Sequence, residues 1–481
     1  MMSRVAARGE GIYNVVVLGA GPAGLVVAVA ASSLGARVAL VEKARMGGDC
    51  LNTGCVPSKA LLASARLAER MRHADRWGLP ASDAPVDFAR VIARVRARRA
   101  HIEANDSQAR MESLGIDVFR APARFASPRE VDAGGTRLRA RHVVIATGSR
   151  PSLPPVDGLA ACDPFTTDTI FDGLDTRPDR LLVLGGGAVG CELGQAFAAL
   201  GVAVTLVEAA PRLLAREEPE AAAVVHRRLE EAGARVLTGV KAVRAEKQGA
   251  VTRLHLDGPA APLEAEAVLV AAGRVPNVDD LGLEQAGVAF TKKGVAVDAS
   301  LRTNVRGVWA AGDVTGGPQF THVADHHARV LVRNLVFPLL PARVDLGVIP
   351  TAVYTSPEVA RVGLTEEEAR QKGLQVEVLH KELADVDRAI LEDETQGFAK
   401  MLIAFGRVVG ATLVAEHAGE LIHEIALLMK QGGKPGGLSA LVHAYPTVAE
   451  VARKVADDHA RKGLTPGRKR LLAWLFEKRR G

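Results

Sequence analysis

"YNVVVLGAGPAG", residues 13–24, decides the fold. Tyr13 to Leu18 is an unbroken apolar run of the kind a buried parallel strand requires, and it leads directly into Gly19, Gly21 and Gly24 and then an apolar helix. A second strand, Arg37 to Val41, ends in Glu42. Glycines allow the tight turn and close backbone approach, the helix N-terminus faces a pyrophosphate, and the acid meets ribose hydroxyls. The unit then repeats. Arg180 to Leu184 runs into Gly185, Gly187 and Gly190, and a strand from Ala203 to Val207 ends in Glu208. In both copies the acid lies eighteen positions past the last glycine, which two unrelated glycine turns would have to match by coincidence.

Two such units imply two dinucleotides, one held as a cofactor and one exchanged, with hydride transfer between them. Glu208 favours a free 2′-hydroxyl and repels a 2′-phosphate, so NADH is favoured over NADPH. Arg212 and Arg216 follow closely and leave NADPH open.

The 481 residues imply two to four domains. Net charge is +6 and diffuse except at the C-terminus, with no basic patch interleaved with aromatics, so nucleic acid is not an expected partner. The apolar run Val15 to Val41 is broken by Gly19, Gly21, Pro22, Gly24 and Gly35 and reads as strand, turn, helix and strand rather than a membrane span. No signal-peptide pattern opens the chain, and a cytoplasmic location is expected.

"GGDCLNTGCVPSKAL", residues 47–61, holds Cys50 and Cys55, two of only four cysteines. A structural disulfide, half of a metal site and a working redox pair all remain open at this point. Cytosolic cysteine pairs in large enzymes are more often catalytic than structural.

In order along nearly its whole length, the chain resembles the class I pyridine nucleotide-disulfide oxidoreductases, which include dihydrolipoamide dehydrogenase, glutathione reductase and mercuric reductase. "VVVLGAGPAG" is similar to their FAD turn, "GGDCLNTGCVPSK" to the redox-disulfide box and "LGGGAVGCELG" to the NAD(P) turn. "IATGSRP", with Thr147 and Gly148, "AAGRVPN", with Gly273 and Arg274, and "VWAAGDV", with Gly312 and Asp313, resemble further cofactor-binding segments. "YTSPEVARVGLTE" and "HAYPTVAEV" resemble the two ends of the dimerisation domain. The resemblance implies tightly bound FAD, an outer interchange thiol at Cys50 and an inner thiol at Cys55 against the flavin. It also implies that Asp313 holds the ribityl chain and that Lys59 pairs with Glu192 beside the flavin. Zinc would need more ligands than the isolated Cys162 and Cys191 supply, so no metal site is expected and the redox reading prevails.

The sequence departs from the family at one chemical position. Thiol-handling members place a histidine base before Pro-Thr-x-x-Glu. Here Tyr445 stands before Pro446, with Thr447 and Glu450 matching. Tyrosine, with a pKa of about 10, is a poor base where histidine at about 6.5 is a good one. A soft metal ion held by thiolates needs no such base, and tyrosine there is similar to mercuric reductase. Those enzymes, however, carry a vicinal cysteine pair in the C-terminal tail, and no cysteine follows Cys191. Ala188 suggests an ungated nicotinamide pocket.

Other features have ordinary readings. His322, His326 and His327 read as packing and capping rather than a metal pair, and the Ala/Arg-rich stretch 60–115 as helices with solvated basic faces. The tail "PGRKRLLAWLFEKRRG", residues 466–481, suits either a helix lying on an anionic membrane or one docking on a dimer partner.

The expected fold is α/β, with two Rossmann-like FAD and NAD(P) domains and a C-terminal α+β dimerisation domain. Residues 1–152 and 279–345 form the FAD domain, 153–278 the NAD(P) domain and 346–481 the interface domain. The expected unit is a homodimer in which Tyr445 and Glu450 complete the partner's site. The expected activity passes electrons from NAD(P)H through FAD and Cys50–Cys55 to a disulfide, oxidant or metal-ion substrate. The alternatives are dihydrolipoamide dehydrogenase and an electron-delivery flavoprotein for a membrane or protein partner.

Overall fold

Strand Ile12–Leu18 is buried along Val15 to Leu18 and lies at the centre of a parallel array, with Val38–Val41 on one side and Thr136–Ile145 on the other. Ile116–Phe119 extends the array beyond Val38–Val41, and Val308–Ala310 pairs in parallel with the end of Thr136–Ile145. The first part of that long strand turns antiparallel against Glu130–Ala133. The helix Pro22–Ser33, apolar on all sides, is sandwiched between this sheet and the helix Thr321–Val336, which explains its composition without a membrane. Among the described residues no helix is long and apolar enough to cross one.

A computed structural model describes residues 8–259 and 261–480. Two compact units divide the chain. One comprises the residues up to Gly185, Ala196–Val207 and Lys241–Asp345; the other comprises Gly186–Gln195, Glu208–Val240 and Leu346 onward. The first unit also holds the strands of the second nucleotide fold, Arg180–Leu184 with Ala267–Val270 and, through Val207, Ala203–Glu208, all parallel.

The first glycine of each turn has the same backbone geometry in both copies. Gly24 has no room for a side chain, since a Cβ there would lie 1.9 Å from the Gly19 carbonyl oxygen. Gly19 and Gly185 share a left-handed backbone, φ +104° and +112°, and press against the carbonyls of Ala146 and Ala271.

The second unit is built on a five-stranded antiparallel sheet, in the order Thr351–Val353, Glu358–Gly363, Arg407–Ala415, Phe398–Ala404 and Glu377–Glu382. Helices Ala418–Lys430 and Glu450–Lys462 contribute Ile422, Ile425, Val451 and Val455 to its core. Lys400, on the strand Phe398–Ala404, is 3% exposed, and its ammonium reaches Glu366 at 2.8 Å, Glu220 at 3.0 Å and Glu218 at 3.1 Å. Burial alone would push this lysine down; the hydrogen bonds it donates to three carboxylates outweigh that and raise it. Glu218 and Glu220 flank the start of helix Pro219–Glu231, so the cluster joins residues 208–240 to the C-terminal sheet. That tie is the physical reason part of the expected 153–278 segment groups with the C-terminal unit.

Lys400→Met should destabilise the protein by about 3–5 kcal/mol in urea unfolding, because it strands the buried Glu218 carboxylate. Lys400→Met with Glu218→Gln should recover part of that loss. A single variant as stable as wild type would show that the cluster carries no net burden.

Candidate active site

Cys50 lies in the short helix Gly48–Asn52, and Cys55 opens the 18-residue helix Cys55–Arg72. Both are free thiols, Cys50 half-buried and Cys55 exposed. The Cys55 sulfur is 3.4 Å from the Thr321 hydroxyl, and Thr321 begins the helix Thr321–Val336. Cys55 therefore stands at two helix N-termini, where partial positive charge favours a thiolate. Cys50 is raised well above the usual thiol range, first by its hydrogen bond with Cys55 and then by burial. A thiol held up in this way keeps its proton at neutral pH.

Around the redox box, polar side chains form a chain of contacts. Arg274 is ion-paired with Asp49 and donates to the Ser149 hydroxyl at 2.8 Å, and Ser149 in turn donates to Asp313 at 2.7 Å. Burial pushes the Asp49 carboxyl up to about 6; Arg274 pulls it down, while Asp168, Asp313 and Glu42 push it further up. Thr147 donates to the Asn277 carbonyl at 2.8 Å, closing the segment that follows Gly148 against the one that follows Gly273 and Arg274. The Gly312 amide donates to His327 at 3.2 Å. His327 thus supports the turn that carries Asp313, and His322 stacks on Phe320.

At each nucleotide turn the strand-end glutamate is held by two amides. Glu42 accepts from Ala20 and Ala44, both at 2.7 Å. Glu208 accepts from Gly186 at 2.5 Å and Ala210 at 2.6 Å. Each oxygen keeps a lone pair for a ribose hydroxyl. The glycine turns, with no room for a Cβ at Gly19, Gly24, Gly185 and Gly186, and the paired acids fit two dinucleotides, and Ser149 with Asp313 supplies further polar contacts for the first. Arg212 is engaged with three carbonyls, those of Leu214, Glu217 and Ala215. It is therefore occupied in shaping its own loop, which the sequence reading did not foresee.

Lys59 is half-buried one helical turn after Cys55 in the first unit. Glu192, 5% exposed in the second, accepts from the Tyr354 amide at 2.9 Å. Within the second unit, the Tyr445 hydroxyl donates to Asp387 at 2.9 Å, and that hydrogen bond raises its pKa further. Glu450 is buried and paired with Arg453, while its other carboxylate oxygen has no hydrogen-bond partner. His443 sits 3.2 Å from Glu424. Among the described residues, the acidic group close enough to hold a metal is Glu218, Glu220 and Glu366, and the Lys400 ammonium binds all three.

Three contributors escaped the sequence reading: Asp49, Ser149 and Thr321. Asp49 carried a signal, a carboxylate set directly between Gly48 and Cys50. Arg99 was another miss, since its expected solvated face instead reaches the Asn52 carbonyl at 3.2 Å and Asp172 at 2.7 Å.

Residues 13–328 match the family described as pyridine nucleotide-disulphide oxidoreductase, and residues 349–456 match its dimerisation domain. The chain belongs to this family, and so is an FAD-dependent oxidoreductase that uses NAD(P)H. A mercuric reductase of Lysinibacillus sphaericus is 34% identical over 93% of this chain and 83% of its own. A dihydrolipoyl dehydrogenase of Geobacillus stearothermophilus is 33% identical over 92% and 95%. Among solved structures, the HOCl-induced flavoprotein disulfide reductase RclA of Escherichia coli superposes with a TM-score of 0.84, at 28% identity, covering 92% of this chain and 99% of that one. A Cu(II) complex of the same protein matches equally well.

Burial, with a smaller contribution from His326, holds His327 down at about 4. Its folded pKa lies below the unfolded value of about 6.5, so its contribution is full above that value and is lost as pH falls towards 4. The loss is at most about 3 kcal/mol. Between pH 7 and 4.5, unfolding free energy should drop more steeply for wild type than for His327→Gln. Parallel pH profiles would refute the assignment.

Proposed function

We propose that the chain is a mercuric-reductase-like NADH oxidoreductase in which Cys50 and Cys55 pass electrons to a soft metal ion or a sulfur-directed oxidant. The observation that carries this reading is the bonded state of Tyr445. A phenol already donating to Asp387, with its pKa raised, cannot serve as the base that thiol–disulfide interchange on a dithiol substrate requires. Soft metal ions bind thiolates directly, without that base. One structural neighbour is a Cu(II) complex and one relative is named a mercuric reductase, which supports the same class of acceptor.

The roles follow from chemistry. Glu42, Gly19, Gly21, Gly24, Thr147, Gly148, Gly273, Arg274, Gly312 and Asp313 hold FAD, which, when bound, relays a hydride equivalent from the nicotinamide to the cysteine pair. Gly185, Gly187, Gly190 and Glu208 hold the nicotinamide dinucleotide. Because Glu208 faces the ribose and Arg212 is engaged with carbonyls, NADH is favoured over NADPH. Lys59 and Glu192 are each assigned to the chemistry at the point where hydride arrives. Cys55 carries the thiolate and Cys50 meets the acceptor. On reaction the Cys50 thiol and the Cys55 thiolate close a disulfide, releasing one proton to solvent and two electrons that are taken by one two-electron oxidant or by two Cu(II) ions as Cu(I). A homodimer completes each site, with FAD segments 1–152 and 279–345, the NAD(P) segment 153–278 and interface segment 346–481. Glu450's open carboxylate oxygen awaits a donor from that arrangement.

The dihydrolipoyl relatives keep the opposite reading open to measurement. NADH-driven Cu(II) reduction, followed with a Cu(I) chelator, should exceed dihydrolipoamide-driven NAD⁺ reduction by at least about a hundredfold, the order of one positioned base. Cys50→Ser should abolish the first activity, and Tyr445→His should raise the second. Rapid dihydrolipoamide oxidation by the unaltered protein would overturn the proposal. Separately, kcat/KM should favour NADH over NADPH by at least about tenfold, and Glu208→Ala should narrow that ratio; equal values for the unaltered protein would contradict the role given to Glu208.

A further inference from the structure

The helix Pro466–Lys478 begins ten residues beyond Ala456, where the family match ends. It is well formed, with Pro466 in its first turn and the Thr465 hydroxyl accepting from the Arg468 amide, yet no residue in it is buried. At 100° per residue, Trp474, Leu471, Leu475, Leu472 and Phe476 fall in that order around one sector of about 200°. All five are exposed, from 40% for Leu475 to 67% for Phe476. Lys469, Arg470, Ala473 and Glu477 occupy the opposite face. Arg468 at the start and Lys478 and Arg479 at the end fall within the angular range of the apolar sector but at its two tips along the axis, Arg480 falls on the opposite face, and the Lys478 ammonium lies 4.5 Å over the Trp474 ring.

The charge distribution selects the occupant. Residues 466–481 hold six basic side chains and one acid, so they carry five of the chain's six net positive charges. The remaining 465 residues are close to neutral. A second copy of this chain would therefore offer little net negative charge to draw in the helix. An anionic bilayer answers both of its features: headgroups for the arginines and lysines, and an acyl boundary for the apolar sector. Lysine and arginine at the helix ends can extend to the headgroups while their stems stay with the apolar face. Thirteen residues span about 20 Å, too short to cross a bilayer, so the helix lies in the plane of its surface.

We propose that residues 466–480 form a membrane-surface helix that docks this flavoprotein peripherally on anionic phospholipid, independently of its electron acceptor. A single short helix binds weakly and in a salt-sensitive way. Two copies in a dimer would strengthen the attachment through effective concentration.

The test is flotation of FAD-loaded, full-length protein with phosphatidylcholine vesicles, with and without about a third phosphatidylglycerol. Binding is expected only to the anionic vesicles, falling at least about tenfold between low salt and 0.5 M salt. Vesicle binding should be lost on removing residues 466–481 and weakened at least about tenfold by Trp474→Ala with Phe476→Ala. NADH-driven dye reduction should be the same in all of these proteins. No flotation, equal flotation on neutral vesicles, or undiminished flotation of the truncated chain would each overturn the proposal. So would a truncated chain that turns from dimer to monomer in light scattering while the full-length protein ignores vesicles. That result would place the helix against a second copy.

Discussion

The first nucleotide turn depends on a contact that excludes a single atom. With a Cβ on residue 24 only 1.9 Å from the Gly19 carbonyl, helix Pro22–Ser33 could not start where it does. The helix N-terminus would then move away from the position a pyrophosphate occupies. The glutamate at the end of the next strand reinforces the same turn. Glu42 and Glu208 each clamp two backbone amides before any ligand arrives, so the loop is already shaped when a ribose reaches it. This preorganisation reduces the ordering cost of binding. Its repetition within one chain is the structural basis for two dinucleotides meeting in one enzyme.

The redox pair is tuned by position rather than by an adjacent base. One cysteine opens a long helix and faces the first residue of another; its partner is half-buried and hydrogen-bonded to it. That arrangement is the basis for the proposal that Cys55 carries the charge and Cys50 exchanges with an acceptor. Asp49 adds a complication. A carboxylate beside the box, pushed up to about 6, is the kind of perturbed group that clusters at functional sites. Arg274 offsets it while bridging to Ser149 and, through it, to Asp313. Four residues from four separate segments are coupled in this way, so a change at any one alters the electrostatics of the others.

What was legible in the sequence was local. The strand–turn–helix units, the eighteen-residue spacing to each acid and the cysteine spacing are short-range patterns whose physics is complete within about thirty residues. The family order supplied the architecture. What escaped the reading were contacts between distant positions: Asp49 with Arg274, Lys400 with Glu218, Tyr445 with Asp387. A charged side chain in a sequence does not announce its partner. Lys400 sits in "FAKMLIA", a stretch that reads as an ordinary strand with one outward lysine. It is inward because three glutamates from two other segments surround it. Arg212 teaches the same lesson for specificity: its position beside Glu208 suggested a 2′-phosphate ligand, and its hydrogen bonds to three carbonyls assign it to loop structure.

The tyrosine at 445 shows why one substitution can redirect a shared scaffold. In a site that swaps protons with thiols, the base must titrate near neutral pH and be free to accept. Tyr445 meets neither condition, since its proton is given to Asp387 and its pKa moves away from neutrality. His443 presents both ring nitrogens to acceptors, Nδ1 to the Leu441 carbonyl and Nε2 to Glu424, each at 3.2 Å, so neither is open to take a proton in this arrangement. The cysteine pair can remain a two-electron donor whatever stands at 445, because the two cysteines and their helix termini lie in other segments of the chain. In the proposed function, removing the base narrows the acceptors to those that thiolates reduce unaided, without disabling the electron path that feeds them.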